Sequence, residues 1–282
     1  MKIVFFGSSR YVVPVVEMLH AFFDLSLIVT TEQGSQEPIP FYAKAKKIEF
    51  ISVRKSADLI TSYEIQGAGA DLAVVADFGL IIPEDTIKFF SMGIINIHPS
   101  LLPKYRGSSP VQNAILNGDT KTGVTIIKLD KHMDHGPIIA SLEEDIKPDD
   151  TAKSLYERLF GLSTVLLQKV IHDFEIQKVK AIPQDHENAT FTNQLKKEDG
   201  FIDFKTISNK EFFDRIIRAY YPWPGVWTKA SLNFKKGNEK IIKFLPNKRI
   251  QVEGGREMGY KDFVNGYPDT DKNLLEFLRK DI

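Results

Sequence analysis

The sequence predicts an α/β protein with a largely parallel sheet, followed by a small strand-rich module. Apolar runs such as 2–6 and 72–76 alternate with segments of helical periodicity, the pattern of strand–helix–strand units. A polar stretch over 181–200 ends this alternation, and short strand-like runs separated by turn residues follow it. We therefore expect a first domain over 1–180, a linker over 181–200 and a second domain over 201–282.

The elements of the first domain can be placed in order. Residues 2–6 predict a strand and 7–10 a turn, and a helix over 11–21 carries Pro14 in its first turn, where proline is tolerated. The turn lacks the G-x-G-x-x-G pattern, so dinucleotide binding is not predicted. Leucines spaced by three and four residues beyond Thr151 predict a long helix that packs on the sheet. We expect further strands near 25–31, 50–53 and 72–76, helices near 41–48 and 57–66, and a loop over 32–40.

Three polar side chains follow two apolar runs in the middle of the chain. Residues 94–97 predict a buried strand, on which Asn96 and His98 point to the same face. A second run over 124–129 leads to Asp134. If the two strands are neighbours, an amide, an imidazole and a carboxylate converge at one sheet edge. An amide donor can stabilise an oxyanion, and an imidazole can transfer protons near neutral pH.

The residue types alone leave other roles open. A histidine at a strand end is often a surface or capping residue, and Asp134 before a turn glycine is a common turn residue. Ser100 with His98 and Asp134 suggests a hydrolase, but no G-x-S-x-G elbow surrounds the serine. His132-x-x-His135 with Asp134 suggests a metal site, but no second cluster completes it.

Several separated segments resemble, in the right order, the signature of the formyltransferase family. These are 96–107 (NIHPSLLPKYRG), 122–125 (TGVT) and 133–137 (MDHGP). The resemblance implies a Rossmann-like formyltransferase domain over 1–180 that takes 10-formyltetrahydrofolate as co-substrate and needs no metal. It implies that Asn96, His98 and Asp134 are catalytic. The expected reaction is direct attack of an amine on the formyl carbon through a tetrahedral intermediate.

The resemblance also implies which residues contact the two substrates. The folate side is expected to involve a turn after the central strand, the backbone of an apolar loop and one lysine: Ser100, Leu101, Leu102, Pro103, Leu80, Ile82 and Lys131. The acceptor side is expected to involve the turn before the first helix, namely Ser9, Arg10 and Tyr11.

The acceptor itself is predicted from the later part of the chain. Segments within 189–203 and 218–227 resemble the formyltransferases that act on methionyl-tRNA, which implies initiator methionyl-tRNA as partner. The alternative acceptor is a dTDP- or UDP-linked amino sugar, because the loop over 32–40 is short and sugar enzymes carry a similar Pro-Trp-Pro-Gly. A protein that only binds folate is a third possibility. For Trp223 in that motif, a core position at the domain junction is favoured over a functional role.

The second domain is predicted to be small. The family carries an OB-like barrel there, but 82 residues that also include a helix over 211–219 favour a reduced OB-like version. Strands are expected near 226–232, 240–245 and 249–252, with a hairpin turn at 235–238 and a helix near 272–280.

Composition sets the broad class. The chain has 282 residues, 43% of them hydrophobic and none of them cysteine, which excludes disulfides and thiolate chemistry. No apolar run is long enough to span a bilayer and no secretion signal is apparent, so we expect a cytoplasmic protein without membrane contact, and we favour a monomer. The residues from 201 onward include 16 Lys and Arg and 11 Asp and Glu, which gives a net charge of +5. Such a charge suits contact with phosphates or a plain solvated surface.

Overall fold

A seven-stranded sheet organises the first part of the chain in the computed structural model, which describes residues 1–32, 38–207, 209–232 and 239–279. The elements up to its fifth strand are β1 (Lys2–Phe6), α1 (Val13–Phe22), β2 (Asp24–Thr31), α2 (Pro38–Lys46), β3 (Phe50–Val53), α3 (Ser56–Thr61), α4 (Tyr63–Gly67), β4 (Leu72–Val75), α5 (Glu84–Ile87) and β5 (Ile94–His98). Next come β6 (Arg106–Gly107), α6 (Pro110–Asn117), β7 (Lys121–Lys128), β8 (Ile138–Asp145), α7 (Ala152–Glu175) and β9 (Phe191–Thr192).

The strand order of this sheet is β3-β2-β1-β4-β5-β7-β8. The first five strands pair in parallel, whereas β7 pairs antiparallel with both β5 and β8. β1 and β4 are buried on both faces, as their unbroken apolar sequences require. The predicted α/β class with a mostly parallel sheet is confirmed.

The chain forms two compact units. Unit 1 comprises Met1–Pro110, Lys121–Asp145 and Tyr156–Asn193, and unit 2 comprises Val111–Thr120, Ile146–Leu155 and Gln194–Ile282. Most of the predicted linker therefore lies in unit 1. Ile182 exchanges backbone hydrogen bonds with Ile138 of β8, and β9 pairs with β6, so backbone pairing outweighs the polar composition of this segment.

Some element boundaries differ from the sequence expectation. The helix expected over 41–48 begins at Pro38. Proline is tolerated there because a backbone N–H in the first turn of a helix has no partner within the helix. The loop expected over 32–40 falls partly on 33–37, outside the described residues. The helix expected over 57–66 is divided into α3 and α4, because Ser62 between them is extended and caps α4 through its hydroxyl.

Unit 2 contains α8 (Lys210–Ala219), β10 (Val226–Ser231), β11 (Glu239–Leu245), β12 (Arg249–Val252), β13 (Glu257–Gly259), α9 (Tyr260–Gly266) and α10 (Lys272–Arg279). Its strands form one antiparallel sheet in the order β10-β11-β12-β13, in keeping with the small module expected. Phe204, Phe213, Phe244 and Phe277 fill its core with ring centroids 5.0–5.5 Å apart. The turn predicted at 235–238 lies outside the described residues.

Trp223 is 57% exposed, so the prediction of a core position for this residue is wrong.

Within the described part of the chain, no helix has the length and hydrophobicity needed to cross a membrane.

Candidate active site

The carboxylate of Asp134 is the point at which the predicted trio meets. Its Oδ1 accepts a hydrogen bond of 3.1 Å from the Asn96 amide, and its Oδ2 lies 3.6 Å from Nδ1 of His98. The backbone N–H of Gly107 donates to the same Oδ2 at 2.7 Å. The structure therefore brings Asn96, His98 and Asp134 together, with His98 4% and Asp134 9% exposed.

The route by which Asp134 reaches this position differs from the expectation. Because β7 runs antiparallel to β5, Thr125 pairs with His98 and the carboxyl end of β7 lies beside the start of β5. The two strand ends therefore do not share a sheet edge. The loop over 129–137 instead turns back and carries Asp134 to the side chain of Asn96.

Two backbone features shape that loop. Asp134 has φ +48°, a left-handed conformation that aspartate tolerates better than most residues. At Gly136 an added Cβ would collide with the carbonyl oxygen of Lys128, so only glycine fits there. The local sequence Asp-His-Gly is thus required by the turn as well as by the chemistry.

The ring of His98 is held from both sides. Its Nε2 lies 2.8 Å from the carbonyl oxygen of Tyr105, which can only accept, so this nitrogen carries a proton. Nδ1 is then the ring nitrogen that faces Asp134. The histidine tautomer and the ring orientation follow from this one backbone contact.

Gln184 is a residue of this site that sequence reasoning missed. Its side chain is 5% exposed, and Nε2 donates to the carbonyl oxygens of Asp134 at 2.8 Å and Gly136 at 2.7 Å. Its Oε1 accepts from Nε and Nη2 of Arg106 at 3.1 and 2.6 Å. Gln184 therefore fixes the loop that carries the carboxylate. It lies in the polar stretch predicted to be a linker, and no periodicity or motif distinguished it there.

Arg106 extends this network toward the side chains of two histidines, His186 and His135, and one aspartate, Asp130. Arg106 is 3% exposed, and burial lowers the pKa of its guanidinium, although the charges of Asp134 and Asp130 oppose that effect. Its Nη2 donates to Nδ1 of His186 at 2.8 Å. The His186 ring stacks on His135 at 4.0 Å, and His135 Nδ1 lies 2.7 Å from the Asp130 carboxylate.

The alternative of a metal site is not supported by this arrangement. Loss of solvation lowers the pKa of the His186 imidazole, and the positive charges of His135 and Arg106 lower it further. Among the residues the structure describes, no three His, Asp or Glu side chains are placed to hold a metal ion.

A cavity of about 310 Å³ opens beside the trio, a size typical of ligand pockets. Asn96, His98 and Asp134 line it, together with the apolar loop after β4, the loop after β7 and two aromatic residues of α7. The predicted folate contacts Leu80, Ile82 and Lys131 are among the lining residues. The loop after β4 is held in place by Ser8, whose Oγ donates to the Phe78 carbonyl oxygen at 3.2 Å.

The other predicted folate contacts do not line this cavity. The Ser100 hydroxyl is fully buried and donates to the Lys104 carbonyl oxygen at 2.7 Å. The backbone N–H of Leu102 donates to Thr125 Oγ1, which itself donates to the Ser100 carbonyl oxygen. That Ser100, Leu101, Leu102 and Pro103 help to hold the folate stays a prediction. In the structure the segment forms a turn that is anchored to β7 through Thr125.

The predicted acceptor contacts Ser9, Arg10 and Tyr11 are not among the described residues that line the cavity. Tyr11 stacks on Tyr156 with ring centroids 5.3 Å apart, and Tyr156 lines the cavity beside Phe160. Ser9 and Arg10 belong to the turn before α1 and are not among the lining residues described. The structure thus connects Tyr11 to the cavity through the ring of Tyr156.

Comparison with known proteins was made on both sequence and structure. Residues 29–171 match the family model described as formyl transferase. A methionyl-tRNA formyltransferase of Elusimicrobium minutum is 33% identical over 86% of this chain and 79% of its own length. A methionyl-tRNA formyltransferase of Koribacter versatilis is 32% identical over 98% of each chain.

Among solved structures, the N-formyltransferase of Helicobacter canadensis in complex with folinic acid and dTDP-3-aminofucose superposes with a TM-score of 0.62 at 20% identity. The match covers 89% of this chain and 95% of that chain. At this level of identity, the likeness shows that the fold is shared.

Proposed function

This chain belongs to the formyl transferase family, and we propose that it transfers the formyl group of 10-formyltetrahydrofolate to the amino group of methionyl-initiator-tRNA. One observation carries the proposal: an amide donates to a carboxylate and an imidazole lies 3.6 Å from the same carboxylate, at the wall of a ligand-sized cavity. The relatives at 32–33% identity name the acceptor.

Asn96 and His98 are proposed as donors to the formyl oxygen. When an amine attacks the formyl carbon, that oxygen becomes negative, and fixed donors at the cavity wall stabilise it. Because His98 Nε2 donates to Tyr105, a proton on Nδ1 requires the charged imidazolium, in which both ring nitrogens are donors, and this is the form proposed to donate to the formyl oxygen. Each such donor contributes about 10²–10³ in rate.

Asp134 is proposed to act on both His98 and the amine. Its carboxylate lies close enough to Nδ1 to attract the charged imidazole. It can also accept the proton that the attacking amine loses, directly or through one water. The bond between the formyl carbon and N10 of the folate then breaks as N10 takes up a proton, and tetrahydrofolate leaves. The carboxylate is held in place by the Gly107 N–H, which donates to Oδ2, and by Gln184, which bonds the backbone carbonyl oxygen of Asp134.

The apolar loop after β4 is proposed to hold the folate ring system. Phe78, Leu80 and Ile82 offer hydrocarbon surface at the cavity, and their backbone groups can bond ring nitrogens and oxygens. Lys131 on the opposite loop can pair with a carboxylate of the co-substrate. Bound together in one cavity, the two substrates react without a covalent enzyme intermediate.

The acceptor is tested by supplying 10-formyltetrahydrofolate with either methionyl-tRNA or dTDP- and UDP-linked amino sugars. We expect formylated methionyl-tRNA, with activity that falls steeply as salt rises because phosphate contacts are screened. Formylation of an amino sugar alone would replace the proposed acceptor. Transfer to neither acceptor, with folate still bound, would refute the proposal.

A further inference from the structure

The loop that carries Asp134 is joined by a ring stack to the segment that carries Gln184. Two residues beyond Gln184, the ring of His186 lies parallel to that of His135, with 4.0 Å between the ring centroids and 3° between the planes. Nδ1 of His135 donates to the Asp130 carboxylate at 2.7 Å, which fixes the ring in its plane. We call the rings of His135 and His186 the histidine stack. Because His135 follows Asp134 directly, the stack acts on the residue next to the carboxylate of the trio.

The protonation state of His186 follows from its contact with Arg106. Nη2 of the guanidinium lies 2.8 Å from Nδ1 of His186. A guanidinium can only donate, so this ring nitrogen accepts and carries no proton. His186 is therefore the neutral imidazole with its proton on Nε2. A proton added to Nδ1 would set two donors, both positively charged, against each other and force the ring away from Arg106.

Arg106 also links the histidine stack to Gln184. Its guanidinium donates to Oε1 of Gln184 as well as to His186. Gln184 holds the backbone of the loop at Asp134, and the histidine stack holds the side chain that follows it. The loop is thus fixed at two points that share one buried cation, so a change at His186 bears on both of them.

Charged and titratable groups on three segments act on His186. Loss of solvation is the largest cause that lowers the pKa of its imidazole, and His135 on the loop and Arg106 on β6 lower it further. Asp130 on the loop and Asp185 beside His186 act in the opposite direction and are outweighed. The neutral ring is therefore favoured at neutral pH and is lost on acidification. His186 is exposed, so the pH of the solution acts on it directly.

We propose that His186 is a positioning residue for formyl transfer. Its neutral ring accepts from Arg106 and closes the histidine stack, which keeps Asp134 within reach of its partners in the trio. Protonation of His186 drives the ring away from Arg106, opens the stack and displaces the carboxylate, so the rate of transfer falls on the acid side. The inference rests on the proposed function, because that is where Asp134 is assigned its action on His98 and on the amine.

Two substitutions separate the stacked ring from the titrating group. His186→Ala removes the ring, whereas His186→Phe keeps a flat ring that cannot be protonated and does not repel Arg106. At pH 7.5 we expect His186→Ala to lower kcat about 10-fold, less than the roughly 10²-fold cost of a full 1 Å misplacement. The KM for 10-formyltetrahydrofolate should not change. His186→Phe should recover most of the lost kcat.

The pH profile is a readout that a merely structural role would not move. Acidification also protonates the acceptor amine in every variant, so the ratio of kcat at pH 7.5 to kcat at pH 5.5 is compared between proteins. We expect this ratio to be about 2- to 10-fold larger in the wild type than in His186→Phe, where about 10-fold is the limit for an imidazole of ordinary pKa that must stay neutral. The matched control is His172→Ala, which removes an exposed histidine that also faces a carboxylate, that of Glu175. It should keep the wild-type ratio.

A second readout needs no acceptor. Hydrogen exchange of the peptide over 129–137, followed by mass spectrometry and corrected for the intrinsic effect of pH, reports local opening of the loop in the free protein. We expect corrected exchange in the wild type to be faster at pH 5.5 than at pH 7.5, and His186→Phe to show no such difference. The peptide over 2–6, from the buried strand β1, is the internal control and should show no increase.

The outcomes separate the histidine stack from the proposed function. Equal kcat ratios in the wild type and His186→Phe, or loop exchange that does not respond to pH, would overturn the positioning role even in an active enzyme. Failure of His186→Phe to recover the kcat lost in His186→Ala would overturn it as well. Loop exchange that responds to pH through His186, in a protein that transfers no formyl group, would support the stack as the loop clasp and refute the proposed function.

Discussion

Replacing Gln184 by methionine should destabilise the loop that carries Asp134 into the active site. The substitution keeps the length of the side chain but removes both donors that hold the carbonyl oxygens of Asp134 and Gly136. Both hydrogen bonds are buried, and a buried carbonyl left without a partner costs about 1–3 kcal/mol. We therefore expect the free energy of unfolding to fall by about 2–5 kcal/mol.

The same variant should also lose activity, because the loop that carries Asp134 is no longer fixed. A displacement of about 1 Å in a catalytic group reduces the rate roughly 10²-fold, so we expect kcat to fall about 10- to 100-fold. Urea denaturation followed by circular dichroism measures the first effect, and single-turnover formyl transfer measures the second. The matched control is Gln66→Met, which removes an exposed amide-to-carbonyl bond and should change stability by less than about 0.5 kcal/mol. A Gln184→Met protein with wild-type stability and kcat would refute this reasoning.

Three further predictions concern the trio, the loop and pH. His98→Ala and Asn96→Ala should each lower kcat about 10²–10³-fold while folate binding, measured by calorimetry, persists; retained turnover would contradict their roles. Gly136→Ala should lower solubility and activity, because the added Cβ would collide with the carbonyl oxygen of Lys128. The control is Gly161→Ala in α7, whose added Cβ meets nothing within 4 Å. This variant should raise the free energy of unfolding, measured by urea denaturation, by about 0.5–1 kcal/mol. The lowered pKa of His186 means that protonation disfavours the folded state, so stability should fall as pH drops below about 6.5. His186→Gln should flatten that dependence in urea midpoints measured from pH 8 to 5.5, and an unchanged slope would exclude His186 as its source.

The residues of the trio could be singled out because they lie in local patterns, and their assignment as catalytic rested on the resemblance to the formyltransferase signature. Asn96 and His98 share a face through the period of two in a strand, and Asp134 lies in a turn signal. Their meeting depended on knowing that β5 and β7 are neighbours. The antiparallel direction of β7 was not predictable, because the buried run over 121–128 looks the same in either direction.

Residues that support the site from a distance in sequence were not predictable. Gln184 follows Asp134 by 50 positions and stands in a polar stretch with no periodicity, so its burial follows only from the folded chain. The turn over 100–103 stays a prediction for holding the folate. Its residues are adjacent in sequence to His98, yet Ser100 is bonded inward to Lys104 and the backbone of Leu102 to Thr125.

Asp134 illustrates why two kinds of neighbour should respond differently to substitution. On the cavity side, Asn96 and His98 each make one contact to the carboxylate, and water in the cavity can replace either of them. On the opposite side, Gln184 bonds backbone carbonyls in a buried position that water does not reach. Loss of a cavity-side donor should therefore reduce the rate with little change in stability, whereas loss of the buried amide should reduce both. The ratio of these two effects, measured variant by variant, distinguishes residues that contact the reacting atoms from residues that only position them.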